Sequence, residues 1–161
     1  GTGARPSIDG LSATAFPSGV HTMSTEVTEH VGPITIWRKE LREGSGGAGR
    51  QRGGLGQVIE ISANPGHRIY INAMFDRCDN PARGRDGGQA GAAGAVSLDD
   101  GGVMQSKGKQ WIPDDRHLVL ELPGGGGYGE PSTRNKLLVE QDVAREYISA
   151  EQARQEYGNA D

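Results

Sequence analysis

Residues Gly44 to Gly56, reading GSGGAGRQRGGLG, form a dense glycine and arginine block between two segments of alternating apolar character. Glycine takes positive φ freely and lets backbone or ligand come close, so this much of it in one connection constrains the fold more than any other feature. Two nucleotide-binding templates nearly fit. Gly44, Gly46 and Gly49 satisfy G-x-G-x-x-G, and Gly44 to Gly49 has the spacing of a phosphate loop. In a phosphate loop a Lys then reaches the β- and γ-phosphates, and a Ser or Thr hydroxyl holds Mg²⁺. Arg50 and Gln51 stand at those positions. Gln cannot replace the hydroxyl, and Arg is no substitute for the point charge of Lys. Both templates also need a helix directly after the loop, because its N-terminus carries the anion. Gln57-Val-Ile-Glu-Ile-Ser follows instead and reads as a strand. A structural hairpin loop, lining a site or not, is the expectation.

At 161 residues the chain fits one domain. Its 27 glycines and eight prolines lie between recognisable strands rather than in a monotonous tract, which points to loop-rich β structure over disorder. With 34% hydrophobic residues the core is thin for the length, so the chain is expected to lean on a partner surface. A net charge of −4 and a pI near 5.6 argue against a nucleic-acid protein. Arg38, Lys39, Arg42, Arg50 and Arg52 form a local basic cluster, with Arg83 and Arg85 later, but no aromatic platforms accompany them. They read as a solvated rim or an internal anion contact. The single cysteine, Cys78, excludes an intramolecular disulfide and suits a reducing cytoplasm. No apolar run is long enough to cross a membrane as a helix, and no export signal opens the chain. Gly1 begins without Met and without a periodic pattern, like the middle of a longer polypeptide.

Val31 to Glu40 is rich in β-branched and aromatic residues and reads as a strand. Gln57 to Ser62 and His67 to Met74 alternate about the turn signal Asn64-Pro65-Gly66, which predicts a hairpin. Ala95 to Leu98 and Val103 to Gln105 predict a second hairpin, and His117 to Leu122 is the most apolar strand. Arg83 to Gly94 and Leu122 to Pro131 are glycine-rich loops. The period then becomes helical from Asn135 to Tyr147, with Ser132 or Thr133 as cap. Ser149-Ala-Glu-Gln152 is a capping box, opening a helix from Ala150 to Tyr157 that Gly158 closes. The expected fold is mainly β, with antiparallel hairpins, long glycine-rich loops and two short C-terminal helices. It divides into a loop-rich leading segment at 1–30, a β domain at 31–131 and a helical segment at 132–161.

The runs RPSIDGLSATAFPSG, STEVTEHVGPITIWRKELREGSGGAGRQRGGLGQVIEI, ARGRDGGQAGAAG, LPGGGGYGEP and SAEQARQEYG, in this order, resemble the C-terminal portion of the hydantoinase B/oxoprolinase family. The resemblance implies a B component of an ATP-dependent enzyme that opens 5-oxoproline or a hydantoin ring, with a ketone carboxylase component as the alternative within the family. It also implies partners, namely the remainder of the B component and an A-type ATPase component that phosphorylates the ring carbonyl oxygen. ATP and a divalent metal belong to that full complex. The family's acidic and histidine metal motifs lie upstream of anything present here, so this chain is expected to bind neither cofactor and to be inactive alone.

His21-Thr-Met-Ser-Thr-Glu26-Val-Thr-Glu29-His30 gathers two His and two carboxylates without H-E-x-x-H helical spacing. Its Thr and Val favour strand or loop. Either it is a polar surface segment, or Glu26 or His21 faces a site and helps hold a substrate amide. Glu26 is the best catalytic candidate, because the family pattern carries a Glu at the matching position. Asp9 is either a turn residue or a site-wall carboxylate. Arg38 and Arg52 either hold a phosphorylated intermediate, since guanidinium forks suit phosphate, or keep the glycine loop solvated. Asp114, Asp115 and His117 read as an ordinary turn before a strand, Cys78 as an inert thiol, and Ser12 and Ser18 lack a nucleophile elbow. A non-catalytic assembly module is the alternative from a different class, in which Leu138 and Val143 serve docking rather than turnover.

Overall fold

Alternation in Gln57–Ala63 sends Ile59 and Ile61 to one face and Val58, Glu60 and Ser62 to the other, and this strand is the spine of the larger sheet. The computed structural model describes residues 1–14 and 23–158. Its elements are α1 (Thr25–Val31), β1 (Ile34–Leu41), β2 (Gln57–Ala63), β3 (Tyr70–Met74), β4 (Ala95–Leu98), β5 (Lys107–Trp111), β6 (Leu118–Glu121), α2 (Lys136–Ala144) and α3 (Ala150–Tyr157). One antiparallel sheet has the order β1-β2-β6-β4, and a second pairs β3 with β5. The fold is mainly β with short helices, as expected from the sequence.

Several local readings differ. The Asn64-Pro65-Gly66 turn forms, with Gly66 at φ +80° and the His67 amide donating to Asn64 O, but it joins strands of different sheets. Both edges of β2 are already occupied, by β1 and β6, so β3 pairs with β5 instead. β5 itself carries one large apolar residue, Trp111, and is set by its partner strand rather than by its own pattern. The segment before β1 is a helix rather than strand or loop, because the Ser24 side chain caps it by accepting from the Val27 amide. α2 is capped by Asn135, while Ser132 and Thr133 belong to a 3-10 turn, and it ends at Ala144 rather than Tyr147. The second hairpin is reduced to β4 and a single bridge, Ser97 to Val103. α3 has the predicted bounds, with Ser149 and Gly158 as caps.

The inner face of the large sheet packs Val96, Leu118 and Leu120 with Ile112, and the β3–β5 layer adds Ile71 and Phe75. A separate apolar cluster joins Ala48 to Val139, Ile148, Ala153 and Tyr157 of the helical segment. Between these two cores lies a bundle without regular secondary structure, built from residues 1–14, 44–56, 82–94 and 122–129. Its central strand is Pro123-Gly-Gly-Gly-Gly127. Gly124 donates to Ala92 O, Gly125 donates to Gly54 O and accepts from Gly47, Gly126 accepts from Ala4, and Gly127 donates to Gln89 O. Successive residues therefore turn to different neighbours, unlike a sheet strand, which bonds on two sides only.

Glycine is obligatory in that strand. A Cβ built on Gly124, Gly125, Gly126 or Gly127 would fall within 3.0 Å of the backbone oxygen of Ser45, Thr2, Arg83 or Ala48 respectively. Backbones approach so closely that no side chain fits between them, the logic by which glycine occupies the crowded axis of collagen. Residues 1–14 are woven into this bundle through Thr2, Ala4 and Gly10.

Candidate functional site

Asp9 and Arg52, far apart in sequence, are brought together in one buried ionic network. Asp9 Oδ1 accepts from the Arg52 amide at 2.7 Å and from Arg134 Nη1 at 2.8 Å, and Asp9 Oδ2 accepts from Arg134 Nη2 at 2.7 Å. Asp142 Oδ2, on α2, accepts from Arg134 Nη2 at 2.8 Å and Arg52 Nε at 3.1 Å. Arg52 Nη1 donates to Gly53 O at 2.7 Å, and its guanidinium lies over the Tyr147 ring. Burial pushes the Asp9 carboxyl up, but the hydrogen bonds and charge of Arg134 and the Arg52 amide outweigh it and hold Asp9 below the usual carboxylate value. Two guanidinia face two carboxylates, so the network is neutral, and of the Arg134 donors only Nε is buried without a partner. Its chemistry is that of a clamp joining the leading segment, the glycine block and α2.

Arg134 and Asp142 carry no sequence signature that marks them as site residues. Neither sits in a motif, and the only available signal is that each is a charged residue in or beside a helix whose neighbours are apolar.

The remaining candidates are dispersed. Glu26 is exposed in the first turn of α1, where its own backbone amide and the Ser24 side chain hold its carboxyl below the ordinary value. Its neighbour Glu29 instead reaches β1, accepting from the Ile36 amide at 2.7 Å. Arg38 lies on the open face of the large sheet between Glu40 and Glu60. His21 and Ser18 lie outside the described residues. His117 is separate from Asp114, which pairs with Arg68. Its Nδ1 meets Glu60 Oε1 at 2.6 Å, and its ring stacks on Trp37, which the bulge in β1 turns outward.

Among the described residues no group of three His, Cys, Asp or Glu side chains is placed to hold a metal ion. Much of the glycine block is already engaged within the fold. Its Gly44, Ser45 and Gly47 amides already donate to Tyr147 O, Arg42 O and Gly125 O, and Ser45 to Gly49 are buried. A phosphate cradle needs such amides free.

A cleft with a volume of about 610 Å³ lies between the bundle and β3. Gly1, Ala13, Met74, Phe75, Leu122 and Pro123 wall it, with Asp76 and Arg77 at its polar side. Ala13 and Arg77 both have left-handed backbones, at φ 54° and 66°. Such strain in non-glycine residues gathers at ligand clamps and sites. An apolar cleft of this size with few polar groups suits a small organic ligand.

The sequence profile of hydantoinase B/oxoprolinase matches residues 1–131, ending where the helical segment begins. The chain belongs to the hydantoinase B/oxoprolinase family. An uncharacterised protein of Methanocaldococcus jannaschii is 36% identical over 137 residues, covering 82% of this chain and 24% of its own. The B component of a putative D-/L-hydantoinase from a Pseudomonas species is 29% identical over 164 residues, covering 97% of this chain and 27% of its own. The crystal structure of the ATP-dependent caprolactamase from Pseudomonas jessenii superposes with a TM-score of 0.76 at 28% identity, over 98% of this chain and 29% of that one. This member of the hydantoinase B/oxoprolinase family thus spans between about a tenth and about a quarter of the length of the relatives it matches. Among the described residues no helix is long and apolar enough to cross a membrane.

Proposed function

We propose that the chain is the C-terminal part of the B component of an ATP-dependent cyclic amide hydrolase. It acts with the remainder of that component and an A-type ATPase component to open 5-oxoproline or a hydantoin ring in the cytoplasm. The observation that carries this reading is family membership joined to coverage. Nearly all of the chain superposes on a lactam-hydrolysing relative of which it is only 29%. In the proposed reaction the γ-phosphoryl group of ATP passes to the ring carbonyl oxygen. Water then adds at the activated carbon, the ring C–N bond breaks, and phosphate leaves. This segment supplies a stiff wall: the bundle fixes Gly1, Ala13, Leu122 and Pro123 around the 610 Å³ cleft, which would face the rest of the B component.

The test is ATP-dependent ring opening by the assembled complex, read as amino-acid product and ADP by chromatography. Glu26→Gln in that complex is expected to weaken turnover without loss of assembly. ADP release with no ring opening on any cyclic amide would overturn the reading.

A pure assembly role is the second reading, favoured by the outer face of the β3–β5 sheet, where Tyr70, Met74 and Trp111 are all exposed. Val143 packs on the helical core, so its replacement unsettles the chain itself, and the exposed Leu137 is the cleaner probe of docking. Loss of assembly in Leu137→Asp, with full turnover in Glu26→Gln, selects this second reading.

A further inference from the structure

A second cleft, of about 490 Å³, opens on the other side of Arg77 and has a different chemistry. Gly3, Arg77, Asn80, Arg83, Arg85 and Gly126 line it, and no Asp or Glu does. In a chain of net charge −4, three guanidinia around one acid-free cleft require an explanation. Among the described residues none of the three is in an ion pair, a state they share with Arg5, Arg50, Arg145 and Arg154, so what distinguishes them is that they meet at one cleft. The nearest carboxylate to Arg77 in sequence, Asp76, pairs with Lys107 and also feels the charge of Arg77.

The backbones that carry these arginines are fixed. Arg83 O packs against Gly126, and the Arg85 amide donates to Gly127 O while Arg85 O accepts from Gly88 and Gly129. Gly84, between them, has no room for a Cβ beside Gly88 O. Arg77 O accepts from the Gly94 amide while the residue holds φ 66°, a conformation that favours glycine. A fixed backbone confines the ordering cost of anion binding to the exposed arginine side chains themselves, whose planar forks match phosphate oxygens.

We propose that this cleft is a binding site for a phosphoryl group, held by Arg77, Arg83 and Arg85. The assignment rests on the cleft alone, so it stands or falls separately from the ring-opening reaction. If both hold, the site lies beside the apolar cleft, with Arg77 common to the two. A ligand with a small apolar body and a phosphorylated end would span them.

The experiment titrates the 161-residue chain with inorganic phosphate, pyrophosphate and acetyl phosphate at constant ionic strength, with acetate as control, following amide shifts and heat. Saturable binding is expected, with shifts concentrated at Gly3, Gly84 and Gly126. Arg83→Gln with Arg85→Gln should weaken it roughly tenfold or more, the effect of removing charge-assisted hydrogen bonds. Arg77→Gly places a residue suited to φ 66° and removes the third guanidinium, so affinity should fall while the melting temperature holds or rises. Tighter binding of acetyl phosphate than of phosphate would identify a phosphorylated organic ligand, and the reverse order the released anion. Absence of saturation, equal response to acetate, or undiminished affinity in the variants would each overturn the proposal.

Discussion

Arg134 grips Asp9 across 125 residues of sequence, with Nη1 on one carboxylate oxygen at 2.8 Å and Nη2 on the other at 2.7 Å. The pair ties the first loop of the chain to the residue that introduces α2, and Asp142 on that helix shares the same guanidinium. Breaking one member of a buried pair strands the others, at a cost of about 3–5 kcal/mol. Arg134→Gln is therefore expected to lower the urea midpoint strongly. The double variant Asp9→Asn with Arg134→Gln should lose less than the sum of the singles, since each change removes the same contact. Additive losses would show that the two side chains act separately.

The same clamp has an acid limit. Asp9 is held below its ordinary carboxylate value in the folded chain, so the unfolded state takes up its proton first as pH falls. Its contribution is complete above the ordinary value, about 3.9, and is lost as pH drops through the depressed folded one. Acid unfolding followed by circular dichroism should show a flatter limb in Asp9→Asn than in the parent.

Tyr157 sets a limit at the other end of the scale. Burial pushes its phenol up to about 12. A raised folded value means stability is fully present below the ordinary tyrosine value, about 10, and lost as pH climbs toward the folded one. A late stage of tyrosinate absorbance, from Tyr157, should rise together with loss of the helical core. Tyr157→Phe should abolish the late stage and raise stability above a pH of about 10.

Glycines in the bundle and glycines in turns should respond differently to alanine. Gly125→Ala drives a methyl into Thr2 O and is expected to abolish folding, or to cost more than about 4 kcal/mol. Gly66→Ala meets open space but keeps a positive φ of 80°, so a loss of about 1–2 kcal/mol is expected. Thermal melts of the two variants side by side check this. Similar losses would show that the close approach of backbones in the bundle is not what requires glycine there.

The isolated chain is expected neither to bind Mg-ATP nor to open 5-oxoproline or hydantoin. Most amides of its glycine block donate internally, and proton transfer by a single exposed carboxylate such as Glu26 supplies at most about 10²–10⁴-fold. Calorimetry with Mg-ATP giving sub-millimolar affinity, or turnover that vanishes in Glu26→Gln, would contradict this.

Much of the fold is legible in the sequence wherever a local signal suffices. Ser149, Gln152 and Gly158 announce α3, and the alternation about Ile59 and Ile61 announces β2. Pairing is not legible in this way, because Asn64-Pro65-Gly66 specifies a turn but not which strand accepts β3. α1 escapes a sequence reading because its Thr and Val residues carry strand preference while one serine cap decides the outcome. Of the candidate site residues, Asp9 and Arg52 converge, yet what joins them is Arg134, which no motif marks. The arginines of the second cleft are visible as a basic pair, Arg83 and Arg85, but Arg77 joins them only through the folding of the bundle.

The glycine bundle has a thermodynamic consequence. Melting it exposes peptide groups rather than hydrocarbon, and newly hydrated polar surface lowers the heat capacity where apolar surface raises it. Per residue, the heat-capacity increment of this chain should therefore fall below the usual figure of about 12–15 cal/mol/K. Its free-energy curve should be correspondingly broad, with stability changing little between cold and warm. A fold held by amides packed against amides trades height of that curve for width.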